Sequence, residues 1–124
     1  MSESRQQLSP SQIIDYVVNH YKNNPRSKDK NDTMCLYNDH NGTHCAFAIM
    51  CENPKQLTEG IKANQLLNKR IAKLKPEFSG QSNGFYNAIQ MLHDYSDNWE
   101  RTLKGNKLTQ KGIKEVEWLK ETYK

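Results

Sequence analysis

The sequence predicts an α+β fold: one small domain in which a single antiparallel β-hairpin is packed by four or five helices. Three observations carry that expectation. Apolar residues recur at helical spacing in several separate stretches. One stretch, residues 33–50, reads as two strands about a turn. The 124 residues are the length of one domain with one modest core.

Residues 1–8 read as a flexible N-terminal tail and residues 9–124 as the domain. Ser9 is a helix cap, Pro10 suits the first helical position, and Gln12 falls where a capping box needs it. Ile13, Ile14, Val17, Val18 and Tyr21 then form one apolar face. Asn23, Asn24 and Pro25 stop this helix, since proline disfavours helical backbone in the residue before it.

Strands are expected over 33–37 and 43–50, about the turn Asp39-His40-Asn41-Gly42. Two registers compete. A type I turn closed by left-handed Gly42, the G1-bulge hairpin, places Cys35, Tyr37, Cys45, Phe47 and Ile49 on one face. A two-residue Asn41-Gly42 turn puts Cys35 and Tyr37 on one face, Cys45 and Phe47 on the other. The bulged form gathers the larger apolar groups and is the favoured one. Cys35, Gly42 and Cys45 are therefore structural residues, the thiols packing as small apolar groups.

Ala63, Leu66, Leu67, Arg70, Ile71 and Leu74 predict a helix that stops before Pro76. Ser82 leads into another, with Phe85, Ala88, Ile89, Leu92 and His93 on one face. Ser96 is expected to cap a short helix holding Trp99 and Leu103, ended by Lys104-Gly105-Asn106. Thr109 caps a final helix with Ile113, Val116, Leu119 and Tyr123 in a stripe and Gly112 as a packing glycine.

Composition narrows the function classes. Lys+Arg number 18 against 14 Asp+Glu, a net charge of +4 that is too mild to imply nucleic acid by itself. No apolar run approaches the roughly 20 residues of a membrane span. The first residues lack the apolar core of a secretory signal, so the three cysteines are expected as free thiols in a reducing compartment. Cys35, His40, His44, Cys45 and Cys51 are chemically suited to zinc, but no Cys-x-x-Cys knuckle joins them, and neither metal nor cofactor is expected.

His93, Asp94 and Trp99 form the most suggestive polar group. A His-Asp pair also occurs in metal-dependent phosphohydrolases, but their further histidines are lacking. Asp94 points about 100° away from His93 around a helix. It is expected to cap residues 96–98, while His93 borders a pocket with Trp99 as a wall. Tyr37, His93 and Trp99 offer stacking and hydrogen bonds, and Lys69, Arg70 and Lys73 offer phosphate contacts, a set suited to a nucleotide-like anion. Residues 108–112, Leu-Thr-Gln-Lys-Gly, resemble a helix start of winged-helix regulators. With Lys104, Lys107, Lys111 and Lys114 they support the alternative of a nucleic-acid-binding regulator using the C-terminal helix. A small hydrolase is the third alternative.

Cys35-x-Tyr37, Gly42-x-x-Cys45-Ala46, Glu59-Gly60 before Leu66-Leu67, and His93-Asp94 ahead of Trp99 together resemble a pattern of short uncharacterised phage and prophage proteins. The resemblance spans residues 13–113, with Ala48 standing where the pattern has Gly. It implies a non-enzymatic protein in the host-cell cytoplasm. Such a protein sequesters a nucleotide-like signalling ligand or inhibits a host defence protein, without a membrane partner and with self-association open.

Overall fold

The computed structural model describes residues 7–26, 37, 45–59 and 61–123. Among the described residues four α-helices stand in chain order: α1 Pro10–Lys22, α2 Ala63–Asn68, α3 Asn83–Asp94 and α4 Gln110–Thr122. The described residues contain one sheet, an antiparallel pair of β1 Trp99–Arg101 and β2 Asn106–Leu108. The turn Asp39 to Gly42, Cys35 and Gly60 lie outside the described residues.

α1 follows its sequence signals closely. Ser9 Oγ accepts from the Gln12 N–H (3.2 Å), and Gln12 Oε1 accepts from the Ser9 N–H (2.9 Å), the reciprocal capping box. Ile13, Ile14, Val17 and Tyr21 are fully buried. Residues 1–6 of the expected tail lie outside the described residues, and Gln7 Nε2 donates to Ser79 Oγ (3.0 Å). The Leu8 N–H donates to the Glu77 carbonyl (2.9 Å), and Gln81 Nε2 donates to the Leu8 carbonyl (3.2 Å).

The second expected strand is corrected over residues 45–50. Phe47 is helical (φ −72°, ψ −41°) and Ala48–Met50 form a 3-10 turn. The N–H of Ala48 donates to Cys45 Sγ (3.4 Å). All six side chains are buried. A short continuous apolar run carries no period that tells a strand from a buried helical turn, and here the compact turn buries both faces at once. Among the described residues the Cys45 N–H makes a hairpin-like link to the Tyr37 carbonyl (3.0 Å).

α2 ends at Asn68, six residues before the expected stop region. Arg70 adopts φ 59°, the left-handed region. The Ile71 N–H reaches the Leu66 carbonyl (3.0 Å) and the Arg70 N–H reaches the Leu67 carbonyl (3.1 Å). These are the two bonds of a Schellman stop, made here without glycine. Leu74 then bridges to Cys51 as an isolated antiparallel pair.

The short helix expected about Trp99 is a single 3-10 turn, Ser96–Asn98, followed by the β1–β2 hairpin. Trp99 pairs with Leu108, Glu100 with Lys107 and Arg101 with Asn106. Asn106 fastens this hairpin to α1, its Nδ2 donating to the Tyr21 (3.2 Å) and Asn24 (3.0 Å) carbonyls at the helix end. Thr109 caps α4 through the Gly112 N–H (3.1 Å). Of the expected α4 stripe, Leu119 is fully buried, Val116 and Tyr123 are half-buried, and Ile113 is exposed. The core joins α1, residues 45–51, Leu66, α3 and Leu119. The described residues thus form an α+β small domain, and the sheet among them, β1–β2, lies in a stretch where the sequence predicts a helix.

Candidate functional site

α3 presents two faces at helical spacing. Phe85, Ile89 and Leu92 enter the core. Asn87, Gln90, Met91 and Asp94, at i, i+3, i+4 and i+7, form a neighbouring edge. Opposite that edge run Glu59, Ile61, Lys62 and Ala63, leading into α2. Between them lies a cavity of about 340 Å³, which Tyr37 also lines. That volume is at the lower end of the range for small-molecule sites.

Tyr37 holds one wall in place. Its backbone N–H donates to Glu59 Oε1 (2.8 Å) and its hydroxyl donates to the Ile61 carbonyl. Its ring is buried and meets Phe47, with centroids 6.1 Å apart. Burial pushes the phenol well above its ordinary range, with Cys45 and the carboxylates of Asp94 and Glu59 adding to the shift. Tyr37 is therefore a neutral hydrogen-bond donor at physiological pH, committed to the protein backbone.

The α3 wall is fixed by side-chain amides. Asn87 Oδ1 accepts from the Asn64 N–H (3.1 Å). Gln90 Oε1 accepts from the Phe47 N–H (3.0 Å), and its Nε2 donates to Asp94 Oδ1 (2.7 Å). The same Asp94 oxygen lies 2.9 Å from His93 Nδ1. A carboxylate oxygen only accepts, so the ring nitrogen carries the hydrogen.

Asp94 therefore corrects its expected role: it holds His93 instead of capping residues 96–98. Neighbours in mid-helix point apart, but Asp94 is the last residue of α3. Its carboxylate folds back over the preceding turn, where Gln90 also meets it.

His93 and Trp99 do not line the cavity. The His93 side chain is fully buried and packs on Tyr21, ring centroids 4.9 Å apart. Trp99 is 6% exposed, and its Nε1 donates to the Leu92 carbonyl (2.8 Å). Both belong to the core, and His93 meets the edge of the site through Asp94. Lys69, Arg70 and Lys73 are exposed and do not line the cavity either. They follow the C-terminal end of α2, whereas the cavity touches its start, and Lys73 pairs with Glu52 (3.5 Å). Of the six ligand-binding candidates, the structure places Tyr37 alone at the cavity.

Sequence reasoning missed Glu59, Lys62, Asn87, Gln90 and Met91 as a group. The signal was present for α3, because Asn87, Gln90, Met91 and Asp94 keep a helical period of their own beside the apolar stripe. Arg26 was also missed. Its Nε donates to the His93 carbonyl (2.8 Å), capping the C-terminal end of α3, and its guanidinium lies 6.0 Å from the Trp99 ring.

The described thiols do not join the site. Cys45 and Cys51 are buried and free of disulfides. Desolvation raises the Cys45 thiol well above its ordinary pKa and pushes Cys51 up to about 12. A raised thiol pKa works against either sulfur acting as a thiolate nucleophile. Among the described residues no group of three His, Cys, Asp or Glu is placed to hold a metal ion. No helix among them is long and apolar enough to cross a membrane. No family model, curated protein or solved structure matches the chain.

Proposed function

We propose that the protein is a non-enzymatic binder that sequesters a small nucleotide-like ligand in the cavity between α3 and residues 59–63. The single observation that carries this reading is the pre-set α3 wall. Gln90 is bonded at both ends of its amide, and Asp94 is clamped by Gln90 and by a buried imidazole. A polar edge held in that way loses little freedom when a ligand arrives, which favours affinity. The phage-type resemblance of the sequence supports the wider role, a small protein that withdraws a signalling ligand from its host. The basic strip at Lys69, Arg70 and Lys73 is not needed for that function.

The reading is tested by thermal melting against a library of nucleosides, nucleotides and cyclic nucleotides, with Met91→Trp beside the parent. A ligand at 100 times its Kd stabilises the folded state by about 2.7 kcal/mol, which raises Tm by on the order of 10 °C for a domain of this size. Met91 is 48% exposed at the rim, so the indole fills the cavity without entering the core. The expected result is a large shift by one ligand class in the parent and none in the variant. Equal shifts in both proteins would place binding elsewhere.

A further inference from the structure

Ile113 and Trp118 of α4 stand outside the core. The inner seam of this helix is made by Gly112 and Leu119, which are buried, with Val116 and Tyr123 half-buried beside them. Gln110, Lys114, Glu117 and Trp118 fall within an arc of about 100° on the other side, and all four are exposed. Trp118 is 54% exposed, and Ile113, at the margin of the same face, is 43% exposed. An indole left in water on a helix face suits a protein–protein contact, where Trp is enriched among the residues that carry the binding energy.

We infer that this face joins two copies of the chain, paired antiparallel through α4 about a two-fold axis. The charge pattern chooses the occupant. The middle of the face holds one cation and one anion, Lys114 and Glu117, so neither an acidic nor a basic partner is selected. A second copy is. Lys114 and Glu117 stand equally far from the point midway between Glu115 and Val116, on opposite sides of it. A two-fold axis at that level sets Lys114 of each copy across from Glu117 of the other, so that one match is made twice. Parallel pairing sets Lys114 against Lys114 and Glu117 against Glu117, and like charges repel.

The same axis brings the two Trp118 rings together. Each Trp118 Cα lies about 4 Å beyond the level of the axis. Helix side chains tilt toward the N-terminus, which in both copies is toward the axis. The indoles therefore meet at one margin of the contact, where ring contact adds to the burial of apolar area. Exposed ion pairs add little affinity and chiefly fix the register. One face of a 13-residue helix is a small interface, so the dimer is reversible and depends on concentration. No described residue lining the cavity belongs to α4, so the dimer is tested separately from ligand binding.

The test is sedimentation velocity of the full chain at concentrations rising to about 1 mM. The parent is expected to pass reversibly from monomer to dimer and no further, since a two-fold contact uses the face once. Trp118→Ala is expected to weaken dimerisation at least tenfold. Lys114→Glu and Glu117→Lys each set like charges across the axis, and each alone is expected to weaken it at least tenfold. Mixed in equal amounts, these two variants restore opposite charges at both places. A dimer containing one of each is then expected, with at least the parent's affinity. The mixture also guards against misfolding, because an unfolded chain is not rescued by charge on a partner's surface.

A parent that stays monomeric throughout would overturn the inference. A dimer left intact by Trp118→Ala, or by both charge variants, would place the contact on another face. Charge variants that are monomeric alone and remain so when mixed would refute the antiparallel register.

Discussion

Arg70 holds a backbone conformation that costs an L-residue roughly 1–2 kcal/mol relative to helix. Its side chain is exposed and away from the cavity. Arg70→Gly is therefore expected to raise stability by up to about 1 kcal/mol, since glycine takes this conformation without strain but adds freedom to the unfolded chain. A urea titration checks it, and a lower midpoint would show that the arginine side chain holds the turn together. The stop at α2 was not legible in the sequence because its usual mark is glycine, and arginine at helical spacing reads as continuation. The thiols were more legible: apolar neighbours alone predict that Cys45 packs as a hydrophobe. Brief alkylation at pH 8 followed by peptide mapping is expected to leave Cys45 and Cys51 unmodified in the native protein and modified in urea. Raised folded-state pKa values also set a sign. The stabilisation from the neutral thiol of Cys51 is complete below its unfolded pKa near 9 and is lost as pH climbs through about 12. Stability is thus expected to fall across that alkaline window, and less steeply in Cys51→Ala.

At the scale of elements, one glycine joins two of them. A Cβ at Gly112 would lie 2.1 Å from the Asn98 carbonyl oxygen, where the 3-10 turn before β1 abuts the first turn of α4. Gly112→Ala is expected to cost on the order of 1–3 kcal/mol by forcing these elements apart, and a melt unchanged from the parent would deny the contact. That residue 112 packs closely is readable from a glycine inside a capped helix; its partner is not, because the preceding stretch reads as helix. The β1–β2 hairpin was hidden for a physical reason. Its strands are three residues each, Trp99 and Leu108 are its large apolar side chains at the pairs, and its turn uses no left-handed residue. What holds it is tertiary, the Asn106 amide on the end of α1. Helices α1, α3 and α4 were legible because caps and apolar period agreed in each. Residues 45–50 misled because six apolar residues in a row have no period to read.

For the whole molecule, charge distribution separates the remaining functions. α4 carries Lys111, Lys114 and Lys120 against Glu115, Glu117 and Glu121. Lys107 and Lys111 pair with Glu100 (3.3 Å) and Asp97 (3.4 Å). A helix of balanced charge is a poor phosphate reader, so any DNA binding is expected to be weak, with a log–log salt slope no steeper than about −2. A slope near −6 would restore the nucleic-acid regulator. The candidate site was legible only in part, since Tyr37, Glu59 and Asp94 stood in the sequence pattern while Lys62 lies in a connector whose placement depends on tertiary contacts. The central claim is that the cavity beside α3 holds a small ligand. It is tested most directly by native mass spectrometry of the full chain purified from phage-infected, defence-expressing cells, run beside Met91→Trp. A stoichiometric adduct with the mass of a nucleotide-like compound, present in the parent and absent from the variant, is the result predicted. A bare parent, or the same adduct on both proteins, would contradict it.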